Sequence, residues 1–141
     1  MSASILILDD ELDMLLLLRT IITGRTPHEV ITTNNPLELE DLMAKHAPAL
    51  VITDLKMLGR DGLDVLQAAH RLDPDIPVVI ITAYGSLQSA EEAIARGAYD
   101  YIAKPFRKER VLITVQRALE WRRLSAENRQ LRQGISVGQK P

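Results

Sequence analysis

Ile5-Leu6-Ile7-Leu8-Asp9-Asp10 decides the reading of the chain, because four large apolar residues in a row end abruptly on two carboxylates. A run this short cannot span a bilayer. It also lacks the alternating polar positions of a strand with one wet face, so it reads as a strand covered on both sides. Val78-Val79-Ile80-Ile81 repeats the pattern and closes on Thr82. Working outward, the β-rich runs His28–Thr33, Ala49–Thr53 and Tyr99–Ile102 bring the expected strands to five. Helical spacing fills the intervals at Glu11–Thr23, Pro36–His46, Gly62–Arg71 and Ser86–Arg96, and a longer fifth helix runs from Arg107 to about Arg132. Asn35 before Pro36 has the form of a helix N-cap followed by proline in the first turn, and Gly97 stands where the fourth helix should stop. Strands alternating with helices imply right-handed crossovers and a doubly wound α/β fold around a parallel sheet.

Composition agrees with one such domain. The 141 residues are 46% hydrophobic and 26% charged, within the ordinary globular range. A chain of this length buries roughly two thirds of its unfolded surface and needs no covalent staples. There is no cysteine, which excludes disulfides, thiolate metal sites and a cysteine nucleophile. With no long apolar run and no basic stretch before the first strand, a cytoplasmic protein without membrane contact is expected. Charge is unevenly divided: residues 1–104 carry 16 acidic and 8 basic side chains, residues 105–141 carry 3 and 9. The basic end has only Trp121 as a stacking platform, so direct nucleic-acid binding is not expected of it.

Ligands of doubly wound sheets sit beyond the carboxyl ends of the strands. At that rim the sequence places Asp9 and Asp10 after the first strand, Asp54 after the third, Thr82 at the end of the fourth and Lys104 after the fifth. Any one of these is ordinary as a cap or turn residue; acid, acid, hydroxyl and lysine at one rim are harder to explain that way. Two carboxylates 4 Å apart repel by roughly 4 kcal/mol at an effective dielectric near 20, so the cluster calls for neutralisation. Mg2+ suits it, as a hard cation that takes carboxylate oxygens and bridges to phosphate. Lys104 adds a compact positive charge, and the Thr82 hydroxyl can donate to a phosphoryl oxygen. Asp54, at the centre, is the expected phosphoacceptor.

The strings Leu8-Asp9-Asp10-Glu11, Thr53-Asp54-Leu55-Lys56-Met57 with Asp61-Gly62, Ile81-Thr82-Ala83, and Tyr101-Ile102-Ala103-Lys104-Pro105-Phe106 resemble the receiver domain of two-component response regulators. The resemblance covers about residues 4–120. It implies a flavodoxin-like (βα)5 fold and phosphorylation of Asp54 by a sensor histidine kinase. It also implies Mg2+ held by Asp9, Asp10, Asp54 and the Lys56 main-chain carbonyl, phosphoryl sensing by Thr82 and Lys104, and Tyr101 as the switch aromatic. Such a domain is a phosphoacceptor and turns over no external substrate. One departure stands out: Leu58 replaces the proline usual after the methionine, which bears on the stiffness of the loop after Asp54. Lys56 and Tyr84, each two residues past a site residue, are placed to screen a phosphorylated Asp54 from water or simply to face solvent.

Past Leu119, Trp121, Leu124, Asn128 and Leu131 fall at 3-4-3 spacing, the pattern of a coiled-coil seam with a register-fixing Asn. Residues 121–133 are therefore read as a dimerising linker after a receiver at 1–120, and residues 134–141 as a flexible tail. Homodimerisation is expected through the fourth helix, fifth strand and fifth helix together with this linker, with Leu87, Ala90, Ala93, Tyr101 and Arg107 as contacts. The extension, with Thr82-Ala83-Tyr84-Gly85-Ser86 and Gly97-Ala98-Tyr99-Asp100-Tyr101, is similar to receivers of NtrC-type, sigma-54-dependent transcription activators. That similarity implies output domains outside these residues, through which DNA is bound. A stand-alone receiver that docks to a partner is the alternative. A haloacid-dehalogenase-type phosphohydrolase would want an acid where Lys56 stands, and a degenerate receiver would not keep the full acceptor set.

Overall fold

The computed structural model describes residues 2–138. Five parallel strands, β1 (Ser4–Leu8), β2 (Glu29–Thr33), β3 (Leu50–Thr53), β4 (Val78–Thr82) and β5 (Asp100–Ala103), form one sheet in the order β2-β1-β3-β4-β5. Helices α1 (Leu12–Arg25), α2 (Leu39–His46), α3 (Gly62–Leu72), α4 (Leu87–Ala95) and α5 (Lys108–Gly138) cover it on both sides. Successive strand residues point to opposite faces, which divides the core in two. Leu6, Leu8, Val51 and Ile80 pack under α2, α3 and α4, while Ile5, Ile7, Ile52 and Ile81 pack under α1 and α5. Every residue of β4 is buried, as expected of a central strand read from a continuous apolar run. Each fully buried Ile or Leu contributes about 1.5–3 kcal/mol through loss of apolar surface to water.

The ends of the elements show why the chain turns where it does. Asn35 accepts the Leu37 N–H at 3.1 Å, as an N-cap should, but residues 36–38 make a 3-10 turn before α2 proper begins. The single helix expected from Pro36 is thus divided. Glu38, in that turn, receives a hydrogen bond from the Thr33 hydroxyl, which holds the turn against the end of β2. Ser86 and Ser89 cap α4 reciprocally, and Gly97 takes φ of +106° where α4 ends, a left-handed conformation that glycine adopts without steric cost.

α5 departs furthest from expectation. Contacts with the domain continue past residue 120: the Trp121 ring packs at a tilt on Tyr99, 5.8 Å between centroids, Arg122 pairs with Asp73 at 2.9 Å, and Arg129 with Asp75 at 3.1 Å. The helix continues through Gly138, past residue 133, because extending an existing helix gains one backbone hydrogen bond for each residue fixed. Residues 139–141 of the expected tail lie outside the described residues. Trp121, Leu124, Asn128 and Leu131 are all exposed, so the predicted stripe faces outward while its opposite side is held to the domain. Of the residues expected on the output face, Leu87 and Arg107 are exposed, Ala90 and Tyr101 are half-buried, and Ala93 is fully buried on the inner face of α4 and unavailable to a partner. Among the described residues no helix is long and apolar enough to cross a membrane.

β5 is fastened to α5 by an ion pair in which Arg110 donates to both Asp100 oxygens, at 2.9 and 3.2 Å. Burial alone would raise the Asp100 carboxyl, but hydrogen bonds from Arg110, the Tyr101 N–H and Thr114 hold it below its ordinary value. Its contribution to stability is therefore complete above the pKa of the unfolded carboxyl and is lost as pH falls through the lower folded value. Asp100→Asn should reduce stability at neutral pH by about 1 kcal/mol or less, as for a partly exposed pair. The difference in urea midpoint between parent and variant should narrow as pH drops from roughly 5 to 2, the range in which carboxylates protonate; a difference constant across that range would contradict this account.

Candidate functional site

The sheet order makes β1 and β3 neighbours, and Leu8 pairs with Thr53 at their ends. The residues that follow, Asp9 and Asp54, therefore stand side by side at the carboxyl edge, 1% and 2% exposed. Asp9 Oδ1 accepts the Glu11 N–H at 2.9 Å, and Asp54 Oδ1 accepts the Leu55 N–H at 2.7 Å. Their second oxygens share one cation: Lys104 Nζ donates to Asp9 Oδ2 at 2.9 Å and to Asp54 Oδ2 at 3.4 Å. Lys104 reaches them from the end of β5, where the peptide to Pro105 is cis. Burial raises the Asp9 carboxyl above its ordinary value, against the pull of the Glu11 N–H and Lys104. Burial would lower the Lys104 ammonium, but the Asp9 hydrogen bond and the attraction of both carboxylates hold it above its ordinary value, so it stays charged.

Three carboxylates cluster here, each with an oxygen within 4.8 Å of the others: Asp9, Glu11 and Asp54. Glu11 was not expected in this set, whereas Asp10 was expected and is not in it. The Asx turn closed by the Glu11 N–H on Asp9 leaves Asp10 exposed at the rim of a cavity of about 410 Å3, lined also by Glu11, Lys56, Met57, Leu58 and Tyr84. Glu11 is the N-cap of α1 and makes no side-chain capping bond, so its carboxylate is available to the cluster. The only sequence signal for it was its place as third of three consecutive acids. The donor set is all oxygen, which fits a hard divalent cation.

Thr82, wholly buried at the end of β4, accepts the Tyr84 N–H on its hydroxyl oxygen at 3.1 Å, which leaves the hydroxyl proton to be donated. Tyr101 lies half-buried on β5, its hydroxyl 2.9 Å from Ser89 Oγ of α4 and directly under Gly85, where a Cβ would collide with it. Tyr101 thus links the loop after Thr82 to α4. Lys56 Nζ sits 5.5 Å from the centre of the Tyr84 ring, a cation–π contact across the mouth of the cavity. Trp121, Leu124, Asn128 and Leu131 lie away from this rim on α5.

Residues 5–116 match the response regulator receiver domain family, and the chain belongs to that family. Its curated relatives include the C4-dicarboxylate transport transcriptional regulatory protein DctD of Pseudomonas aeruginosa, 40% identical over 108 residues that make up 77% of this chain and 23% of the relative. The nitrogen assimilation regulatory protein NtrX of Azorhizobium caulinodans is 36% identical over 138 residues, 94% of this chain and 30% of the relative. The chain therefore spans less than a third of either relative. Among solved structures, NtrX from Brucella abortus superposes with a TM-score of 0.86 at 37% identity, covering 94% of this chain and 30% of that one. The isolated receiver domain of the same protein gives 0.77 at 37% identity, covering 82% and 98%.

The backbone that carries Asp54 depends on Gly62. A Cβ there would lie 2.9 Å from Leu55 Cα and nearer still to the Asp54 carbonyl oxygen, both backbone atoms that cannot rotate away. Gly62 also donates its N–H to the Leu55 carbonyl at 2.7 Å, which seats the start of α3 against the end of β3. Gly62→Ala should cost about 1–3 kcal/mol in urea unfolding, as overpacking does, and should shift the backbone amide resonances of residues 54–56. Unchanged stability and unchanged resonances would show that the close approach is not required.

Proposed function

We propose that this chain is the phosphoacceptor module of a two-component response regulator, accepting on Asp54 a phosphoryl group from a sensor histidine kinase. The observation that carries the reading is the Lys104 ammonium held between the buried carboxylates of Asp9 and Asp54 at a strand-end rim. In the transfer, an Asp54 carboxylate oxygen bonds to phosphorus as the bond from phosphorus to the donor imidazole nitrogen breaks, and the electron pair returns to the imidazole. Lys104 is placed to neutralise the phosphoryl oxygens, and the Thr82 proton to hydrogen-bond one of them. Asp9, Asp54 and the acids after β1, Asp10 and Glu11, with the Lys56 main-chain carbonyl, would hold Mg2+. Bound there, Mg2+ supplies charge neutralisation and orientation for the incoming phosphoryl group. Lys56 and Tyr84 cover the mouth of the cavity and slow the approach of water to phosphorylated Asp54.

Engagement of Thr82 by the new phosphoryl group draws on the loop after β4, and Tyr101 carries that displacement to α4. The face formed by α4, β5 and α5, with the outward stripe of α5, is the output surface, and a second copy is its partner. The family relationship and the extension support a sigma-54-dependent transcription activator as the whole protein, acting in the cytoplasm and binding DNA through domains other than this one. The receiver signals by binding, without turnover of an external substrate.

Intact-mass spectrometry after incubation with acetyl phosphate tests the acceptor. One phosphoryl group should be gained with Mg2+, none without it, and none by Asp54→Asn; a gain by the Asn variant would reassign the acceptor. The Lys56→Asn, Tyr84→Ala double variant should lose the group faster than the parent. Sedimentation tests the output surface. The parent should associate, and Leu124→Ala with Leu131→Ala should weaken association by about tenfold or more, as for apolar anchors of an interface. Because Arg122 and Arg129 already tie α5 to its own domain, a parent that stays monomeric at high concentration would favour the stand-alone receiver.

A further inference from the structure

The loop from Asp54 to Asp61 carries both the acceptor and the Lys56 carbonyl, and Met57 packs on the core, but the stretch after Met57 offers little to hold it. Leu58 is 87% exposed and Gly59 takes φ of +90°, with only the Leu37 side chain within 4 Å of where a Cβ would stand. The two ends are fixed by backbone: the Asp54 N–H donates to the Leu8 carbonyl at 2.9 Å and the Gly62 N–H to Leu55. Between them, Arg60 reaches across to α2. Its Nη1 donates to Glu40 Oε1 and its Nη2 to Glu40 Oε2, each at 2.7 Å, and Nη1 lies 3.5 Å from the Pro36 carbonyl. The Arg60 side chain is only 15% exposed, and among the described residues this is the one ion pair made by the segment 55–61.

A parallel two-bond fork fixes direction as well as distance, which a single-point ion pair cannot do. Glu40 belongs to the first turn of α2, a helix anchored in the core by fully buried Leu39 next door. The fork therefore transfers the rigidity of α2 to the one stretch of the loop that lacks contacts of its own. Glu40 is held below its ordinary carboxyl value by the Arg60 hydrogen bonds, so the pair stays ionised at neutral pH.

We infer that Arg60 is a positioning residue for the phosphoacceptor site: its fork with Glu40 holds the loop after Asp54 in the conformation that presents the Lys56 carbonyl beside the carboxylates. This role rests on the proposed reading of Asp54 and its neighbours as acceptor and cation site.

Hydrogen exchange in the metal-free chain tests the fork independently of phosphorylation. Arg60→Gln and Glu40→Gln should each speed exchange of the hydrogen-bonded loop amides of Leu55 and Gly62 by about fivefold and leave the β-strand amides unchanged, as expected when a well-formed, partly buried pair is removed from a local opening equilibrium. Calorimetric titration with Mg2+ should then show affinity reduced by about threefold or more. Arg60→Lys, which keeps the charge and loses the fork, should fall between parent and Arg60→Gln. The exchanged pair Arg60→Glu with Glu40→Arg should restore part of the protection. Arg96→Gln, which removes an ordinary α4 surface pair with Glu92, should change neither readout. Unchanged exchange of the loop in Arg60→Gln would overturn the clamp, and faster exchange with unaltered Mg2+ affinity would overturn its positioning role. A parent that binds no Mg2+ would overturn the underlying reading of the site, while the exchange data would still decide the clamp.

Discussion

Two buried carboxylates on adjacent strands cannot both stay charged in a protein edge without compensation, and Lys104 is what makes the arrangement tenable. Strands in one sheet lie about 4.8 Å apart, so placing an acid at the ends of β1 and β3 forces the two groups together. The compensating ammonium comes from β5, beyond β4, and its stem must extend along the rim to reach Asp9 and Asp54. That requirement constrains the topology. With β1 next to β3 and β4 between β3 and β5, the acids, the Thr82 hydroxyl and the lysine open onto one edge. Loss of the ammonium would leave repulsion among Asp9, Glu11 and Asp54, since among the described residues no other cation is paired with Asp9 or Asp54.

Much of the fold was legible because it rests on local signals. The apolar runs at Ile5–Leu8 and Val78–Ile81 fit strands covered on both faces, and the Asn35 cap and the Gly97 stop marked helix ends through residues adjacent in sequence. The strand-end rule then gathered Asp9, Asp54, Thr82 and Lys104 without any coordinates. What escaped were features set by contacts between distant residues or by the fine direction of a turn. The place of Glu11 beside Asp9 and Asp54 follows from the turn after β1, in which the Glu11 N–H bonds to Asp9. The Arg60–Glu40 fork joins residues whose pairing depends on how α2 sits against α3. The packing of Trp121 on Tyr99 likewise joins residues that become neighbours only once β5 and α5 have packed.

The uneven charge of the chain has a structural counterpart. The acidic residues that dominate its first three quarters include the cluster at the carboxyl edge, and two of them, Asp73 and Asp75, receive arginines from the basic end of α5. These pairs are partly exposed and individually weak. Their effect is to fix which side of α5 faces the domain, and so which side carries Trp121, Leu124, Asn128 and Leu131 outward.

Since α5 runs unbroken from Lys108 to Gly138, the helix that closes the core and the helix that projects beyond it are one rod. It has no joint at which a movement of the domain could be absorbed. At 1.5 Å of rise per residue, Leu131 lies about 30 Å along the axis from Val111, so a tilt of about 5° at the core end moves the far end by roughly 2.5 Å. That is about a quarter of the 8–10 Å that separates the axes of packed helices, enough to part a seam residue from a facing helix. Geometry alone thus gives the domain a mechanical advantage: side-chain shifts too small to disturb its own packing become, at the tip, the difference between matched and mismatched surfaces.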